Sequence, residues 1–174
     1  MNTFRRSWIV AVLFGVSAFV LSSAVWSQQK IPLKQSDTEG GYVEERAIDV
    51  GDAPGHQVRI YQLKYKYPKK ELVFLGVPVK ESFTSGISDY TNGSGPFTNY
   101  SVYILEDGNK IFSRGGGSTQ SGADGARKYS YVDNFVGGTG KFRGIRGQLR
   151  GAGERAPGAK SLTESESGEY WVEE

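Results

Sequence analysis

The chain has 174 residues, including 24 glycines, 10 tyrosines, 9 phenylalanines and 6 prolines, and it contains no cysteine. Its formal charge of +2 comes from Arg5 and Arg6, and past them the basic residues equal the 19 acidic ones. Such a chain is one domain long, it cannot be a disulfide scaffold, and it lacks the excess positive charge of a non-specific nucleic-acid binder.

Residues 1–27 follow the order of a secretory signal peptide. Arg5 and Arg6 come first, an apolar run over 8–21 follows, and Ser22, Ser23 and Ala24 are the small residues a peptidase needs. Cleavage after Ser27 leaves Gln28 as the N-terminus, and a cut after Ala24 is the competing choice. The alternative is an uncleaved anchor, because Trp8 to Trp26 is 19 residues, enough for a helix to cross ~30 Å of hydrocarbon. Either way the globular part is expected outside the cytoplasm, secreted or periplasmic, with no membrane attachment once cleaved. An oxidising compartment permits disulfides, so a chain without cysteine must rely on core packing and sheet hydrogen bonds.

Residues 28–41 are polar, carry Pro32 and a glycine pair, and show no periodicity, so they are expected to form a flexible arm. Alternation begins at Tyr42 and runs to Val50, and GDAPG (51–55) is turn chemistry. In 56–67 Tyr61, Leu63, Tyr65 and Tyr67 share one face and Gln62, Lys64 and Lys66 the other, which is a strand pattern that Pro68 ends. A short apolar run over 72–79 precedes a strand over 80–90, with Phe83 and Ile87 on one face. TNGSGP (91–96) predicts a turn, 100–105 a strand, and EDGN (106–109) a hairpin into 110–114. Residues 115–125 are glycine-rich, fitting either a loop or a strand with a long tip. Alternation returns over 127–136, with Arg127, Tyr129, Tyr131, Asp133 and Phe135 on one face. The glycine-rich stretch 137–151 leads to a loop over 154–161 and a last strand over 168–174. No window beyond the leader has a helical period, so the mature chain is all-β, and a meander without covering helices must close on itself or fold as a sandwich.

Gly137-Gly138-Thr139-Gly140-Lys141 invites a phosphate-loop reading, which fails on spacing. Phe135 stands where the first glycine is required and Phe142 where the hydroxyl is required. The dinucleotide fingerprint fails at Arg143. A turn in which Gly138 and Gly140 adopt positive φ explains the residues instead. The basic residues Lys141, Arg143, Arg146, Arg150 and Arg155 fit a solvated strand face better than a nucleic-acid surface, because the mature chain is neutral and Phe142 is the one aromatic among them. His56 is the single histidine and has no acidic partner at ligand spacing, so no metal site is expected.

The stretch FVGGTGKFRGIRG (135–147) resembles a signature of the allene oxide cyclase/dirigent-like barrel superfamily. The hairpin over 101–116 and the Gly-His-Gln turn at 55–57 are similar to small secreted bacterial members. The resemblance spans 42–174. It implies an eight-stranded antiparallel up-and-down β-barrel, here behind an N-terminal signal helix, often trimeric and with an apolar cavity. It also implies cyclisation or coupling of reactive small molecules held in one conformation, without a cofactor. The cysteine that the cyclases place in the cavity has no counterpart in this chain.

If the odd-numbered strand faces point into one lumen, Tyr61, Tyr65, Phe83, Asp89, Tyr129 and Tyr131 are the expected ligand-binding residues, with Glu81 and Asp133 as the acids that move a proton. Glu81 is favoured because it shares its face with Phe83 and Ile87, where desolvation raises a carboxyl pKa. The competing reading is a barrel simply filled by its tyrosines. The expected function is binding of a small, largely apolar molecule, extending to a cofactor-free isomerase or cyclase. The alternative is a non-catalytic ligand-binding or structural envelope protein.

Overall fold

The structure is a computed structural model that describes residues 29–36, 38–159 and 163–173. The expected signal helix, its cleavage points and the anchor alternative lie outside the described residues.

Ten strands account for most of the described chain. They are β1 (Ile31–Ser36), β2 (Glu39–Asp49), β3 (His56–Lys66), β4 (Val73–Phe74), β5 (Val77–Thr91), β6 (Gly95–Leu105), β7 (Lys110–Ser121), β8 (Arg127–Gly138), β9 (Ile145–Arg155) and β10 (Thr163–Val172). All pairings are antiparallel, and the order is β1-β10-β9-β8-β7-β6-β5-β3-β2, with β4 a short addition on β5. Among the described residues the only helical piece is a 3₁₀ turn at Gly140–Phe142.

Three expectations change here. The strands number ten, not eight, and the hydrogen-bonded ladder does not close, because β1 and β2 are its two edges and do not pair. Those edges are nevertheless consecutive in the chain and two residues apart, so their facing ends lie within about 11 Å. The sheet curls to match: the guanidinium of Arg155 on β9 sits 4.9 Å from the ring centre of Tyr42 on β2, near the opposite end of the ladder. Part of the expected arm is also ordered sheet. Residues 31–36 form β1 along β10, with Leu33 buried, and β2 begins at Glu39. Finally, β10 starts at Thr163, five residues before the predicted last strand; β7 runs through Gly115–Gly117, the strand alternative for that stretch.

Turn chemistry fixes the hairpins. Asn92 and Gly93 both take positive φ (52° and 78°), a type I′ turn that Thr91 and Ser94 close with paired backbone bonds. The same geometry recurs at Leu75 and Gly76 between β4 and β5 (45° and 78°). Leu75 is a bulky residue in a region that glycine favours, and the Tyr170 hydroxyl holds it by accepting the Leu75 N–H at 2.6 Å.

That hairpin seals one end of the curled sheet. Leu72 and Phe74 are fully buried, and the Phe74 ring packs on Tyr103, Phe135 and Tyr170 at 6.4, 5.3 and 5.0 Å between centres. Val79, Leu105, Ile111, Phe142, Ile145 and Leu149 complete this core. In the glycine stretch Gly140 takes φ 55°, as expected, but Gly138 does not adopt positive φ. Gly138 is needed for a different reason: a Cβ there would run into Phe142 and the Lys110 carbonyl.

Candidate functional site

Away from the sealed end the inward side chains become polar. Along β8 the inward series reads Phe135, Asp133, Tyr131, Tyr129, Arg127, from the apolar core towards half-exposed positions. Along β10 it reads Tyr170, Glu166, Glu164. Together with β2, β3, β5, β6, β7 and β9 these strands enclose a cavity of about 80 Å³, room for several water-sized groups. Tyr67, Ser82, Tyr103 and Glu166 are buried in its wall, whereas Tyr42, Phe97, Arg127, Tyr129 and Arg155 are half-exposed at its rim. Eight of the ten tyrosines line it; Tyr100 and Tyr170 do not.

Two glycines on β9 make its central feature. In the ladder Gly151 lies between Tyr131 and Glu166, and Gly153 between Tyr129 and Glu164. A Cβ at either glycine would overlap the neighbouring tyrosine, so each ring lies across the bare backbone of β9 to reach a carboxyl two strands away. The Tyr129 hydroxyl donates to Glu164 Oε2 at 3.1 Å, and the Tyr131 hydroxyl donates to Glu166 Oε1. The two rings stack at 6.4 Å with planes 12° apart. On the other wall Gly86 and Gly115 play the same part for Tyr61 and Asp133. Asp133 crosses Gly115 and accepts from Asn99 Nδ2 at 3.0 Å with each oxygen and from Ser113 Oγ at 3.1 Å.

Burial governs the protonation of these acids. It pushes the Glu166 carboxyl up to about 8, with the charge of Glu164 as the second cause. It raises Glu164 and Asp133 as well, against the hydrogen bonds that each accepts. The pair Glu164/Glu166 therefore resists carrying two charges. Neutral Glu166 takes the Tyr131 proton bond on Oε1, and its other oxygen, Oε2, is buried with no hydrogen-bond partner among the described residues. Tyr65 Oη and Asn99 Oδ1 are in the same position. Buried polar atoms are rarely left without partners, so these three are the lining's candidate contact points for a polar group.

Of the expected site residues, Tyr61, Tyr65, Tyr129, Tyr131 and Asp133 line this cavity. Glu81, Phe83 and Asp89 do not. A β-bulge in β5 sets Val79 opposite Leu105 but Glu81 opposite Ile104, so the extra residue, Lys80, flips the phase. Past the bulge the even positions Ser82, Thr84, Gly86, Ser88 and Tyr90 point inward. Glu81 instead pairs with Lys64 at 2.9 Å on the outer wall, which holds its carboxyl below the usual range. Phe83 lies under the Lys64 ammonium at 4.7 Å. Asp89 accepts from His56 Nε2 at 2.7 Å, and Asp52 meets His56 Nδ1 at 2.5 Å, so the single histidine is held between two carboxylates. Arg155, expected on a solvated face, lines the cavity.

The residues that sequence reasoning passed over are Glu164 and Glu166. Their signal was present in Thr163-Glu164-Ser165-Glu166-Ser167, where acids and hydroxyls alternate at a strand's period. The segment adjoins a predicted loop, which hid it.

No protein-family model matches this chain, and neither does any curated protein. Among solved structures it is similar to the pterocarpan synthase dirigent protein GePTS1, at 15% identity over 85% of this chain and 90% of that one, with a TM-score of 0.44.

Proposed function

We propose that this protein binds a small, largely apolar molecule in the tyrosine-lined cavity and that Glu166 recognises an oxygen of that molecule. The observation that carries this reading is Glu166 Oε2: a buried carboxyl oxygen on the wall of a cavity, without a partner, on an acid that burial keeps protonated at neutral pH. A protonated carboxyl donates a hydrogen bond to a carbonyl, hydroxyl or ether oxygen. The surrounding phenol rings offer wide apolar contact with hydroxyls at their ends.

A second reading, a cofactor-free isomerase or cyclase, has its own support. A carboxyl titrating near neutral pH serves as general acid or base, and Tyr131 is in place to share its proton. The resemblance of residues 135–147 to cyclase and dirigent-like barrels agrees with this reading. Export with cleavage after Ser27, and assembly as a homotrimer, belong to the same proposal; they rest on the leader's residue order and on the resemblance.

Mass spectrometry of small molecules retained by the purified protein tests the first reading. The expected result is an oxygen-bearing apolar compound whose retention is lost in Glu166→Leu, which has no donor, and kept in Glu81→Gln. No retained compound, or equal retention by both variants, defeats it. Turnover of that compound, absent in Glu166→Gln, separates catalysis from binding alone. Intact-mass analysis of exported protein and light scattering of the purified chain check cleavage and assembly.

A further inference from the structure

The cavity rim holds two arginines that the interior does not neutralise. Arg127 opens β8, Arg155 ends β9, and the ladder places them directly opposite each other. Both are half-buried and both line the cavity. Like charges directly opposed on one face of an antiparallel pair repel, and the cost rises with partial burial.

Three other cations of the sheet are matched by carboxylates. Arg59 pairs with Glu45, Lys64 with Glu81, and Arg146 with Glu173. Neither Arg127 nor Arg155 forms an ion pair with a described carboxylate. Arg155 rests against the Tyr42 ring and donates from Nε to the Ala159 carbonyl. The cavity's own acids are committed elsewhere: Glu164 to Tyr129, Glu166 to Tyr131, and Asp133 to Asn99 and Ser113. Two uncompensated guanidiniums thus stand over a tyrosine-walled space.

We propose that Arg127 and Arg155 clamp an oxyanion, so that the ligand is a small apolar molecule ending in a carboxylate or a similar group, bound with its charged end at the rim. Guanidinium forks match the paired oxygens of such groups, and an anion between the two arginines turns their repulsion into binding energy. The orientation follows: the apolar body points inward, and its polar substituent meets Glu166 Oε2. This inference rests on the small-ligand reading of the cavity and adds the chemical class.

The test compares 2-naphthoate with its neutral amide, 2-naphthamide, by titration of the full chain at pH 7. The carboxylate is expected to bind about tenfold tighter or better, the gain of charge-assisted bonds over neutral ones. In the double variant Arg127→Gln/Arg155→Gln the ratio of the two affinities is expected to fall to near one. A ratio near one in the unaltered protein, or an unchanged ratio in the variant, overturns the clamp while leaving the small-ligand reading intact. Binding of neither probe defeats both. Should the double variant not fold, salt dependence decides. Naphthoate affinity that falls with salt while that of the amide holds supports the clamp, and parallel behaviour overturns it.

Discussion

The same strands build both ends of this curled sheet, and they build them differently. At the sealed end Val79, Leu105, Ile111, Phe135, Leu149 and Tyr170 surround Phe74, and their side chains leave nothing polar to satisfy except the Tyr170 hydroxyl, which takes the Leu75 N–H. At the open end the inward positions of the same strands carry tyrosines, Asn99, Asp133, Glu164 and Glu166, several with buried polar atoms lacking partners. Apolar burial contributes about 25 cal/mol per Å², whereas a buried carboxyl costs free energy unless it stays neutral and bonded. The sealed end therefore carries the stability, and the open end keeps a polar lining at some expense to it. Glycine use divides the same way. Gly140 serves a turn beside the sealed end, while Gly151 and Gly153 are bare backbone over which the open end's tyrosines lie.

The largest test of this contrast truncates the plug. Phe74→Ala removes the ring that joins Tyr103, Phe135 and Tyr170, and the expected loss is about 3–5 kcal/mol, the usual cost of deleting a buried phenylalanine. Thermal denaturation should show it as a fall in Tm of about 10 °C. A shift near zero would mean that the open end, not the plug, holds the fold.

The second test uses pH. The folded state raises the Glu166 carboxyl from 4.5 to about 8, so the folded protein holds that proton more tightly than the unfolded chain does. This contribution to stability is full below pH 4.5, declines as pH rises, and is lost once pH has passed through about 8. Between pH 6 and pH 9 Tm is expected to fall by about 5–10 °C. Glu166→Gln should flatten that decline while leaving Tm at pH 5 nearly unchanged. If the variant keeps the full pH slope, the proton is held elsewhere.

Gly140→Val comes third. A β-branched residue at φ 55° is strained, and the side chain would meet Asn109, so a loss of about 1–3 kcal/mol is expected by denaturant titration. ATP and NAD should leave Tm unchanged in the parent protein, since the loop lacks the spacing that cradles phosphates. A nucleotide-dependent shift would reverse that reading.

The smallest effect belongs to His56, outside both ends. Hydrogen bonds to Asp89 and Asp52 raise its pKa and lower that of Asp52. The imidazolium's contribution is complete below the unfolded histidine value and disappears as pH rises through the higher folded value. On the acid side it fades as Asp52 protonates. His56→Gln is expected to lower Tm slightly at pH 5–6 and not at all at pH 9, where the parent has already lost the contribution. Chemical-shift titration of the His56 ring gives the direction independently. A pKa at or below 6.5 would contradict the paired geometry.

Much of this was legible in the chain. Period-two alternation placed the tyrosines of β3 and β8 on common faces, and the structure sends Tyr61, Tyr65, Tyr129, Tyr131 and Asp133 into the cavity on those faces. Asn92-Gly93 marked its hairpin, and the failed phosphate-loop spacing marked the Gly140 turn. These features are local: a strand's pleat and a turn's φ depend on neighbours a few residues away. Other features depend on the whole sheet. Alternation cannot register the extra residue at Lys80, and that single bulge carried Glu81, Phe83 and Asp89 to the outer wall. Nor can it join Tyr131 to Glu166, which lie 35 positions apart and meet across Gly151. Sequence by itself determined the strands, their faces and most turns. Tertiary structure decided which face became the lumen, where the plug sits and which acids lose their water, because desolvation belongs to the enclosing sheet and not to any one segment of chain.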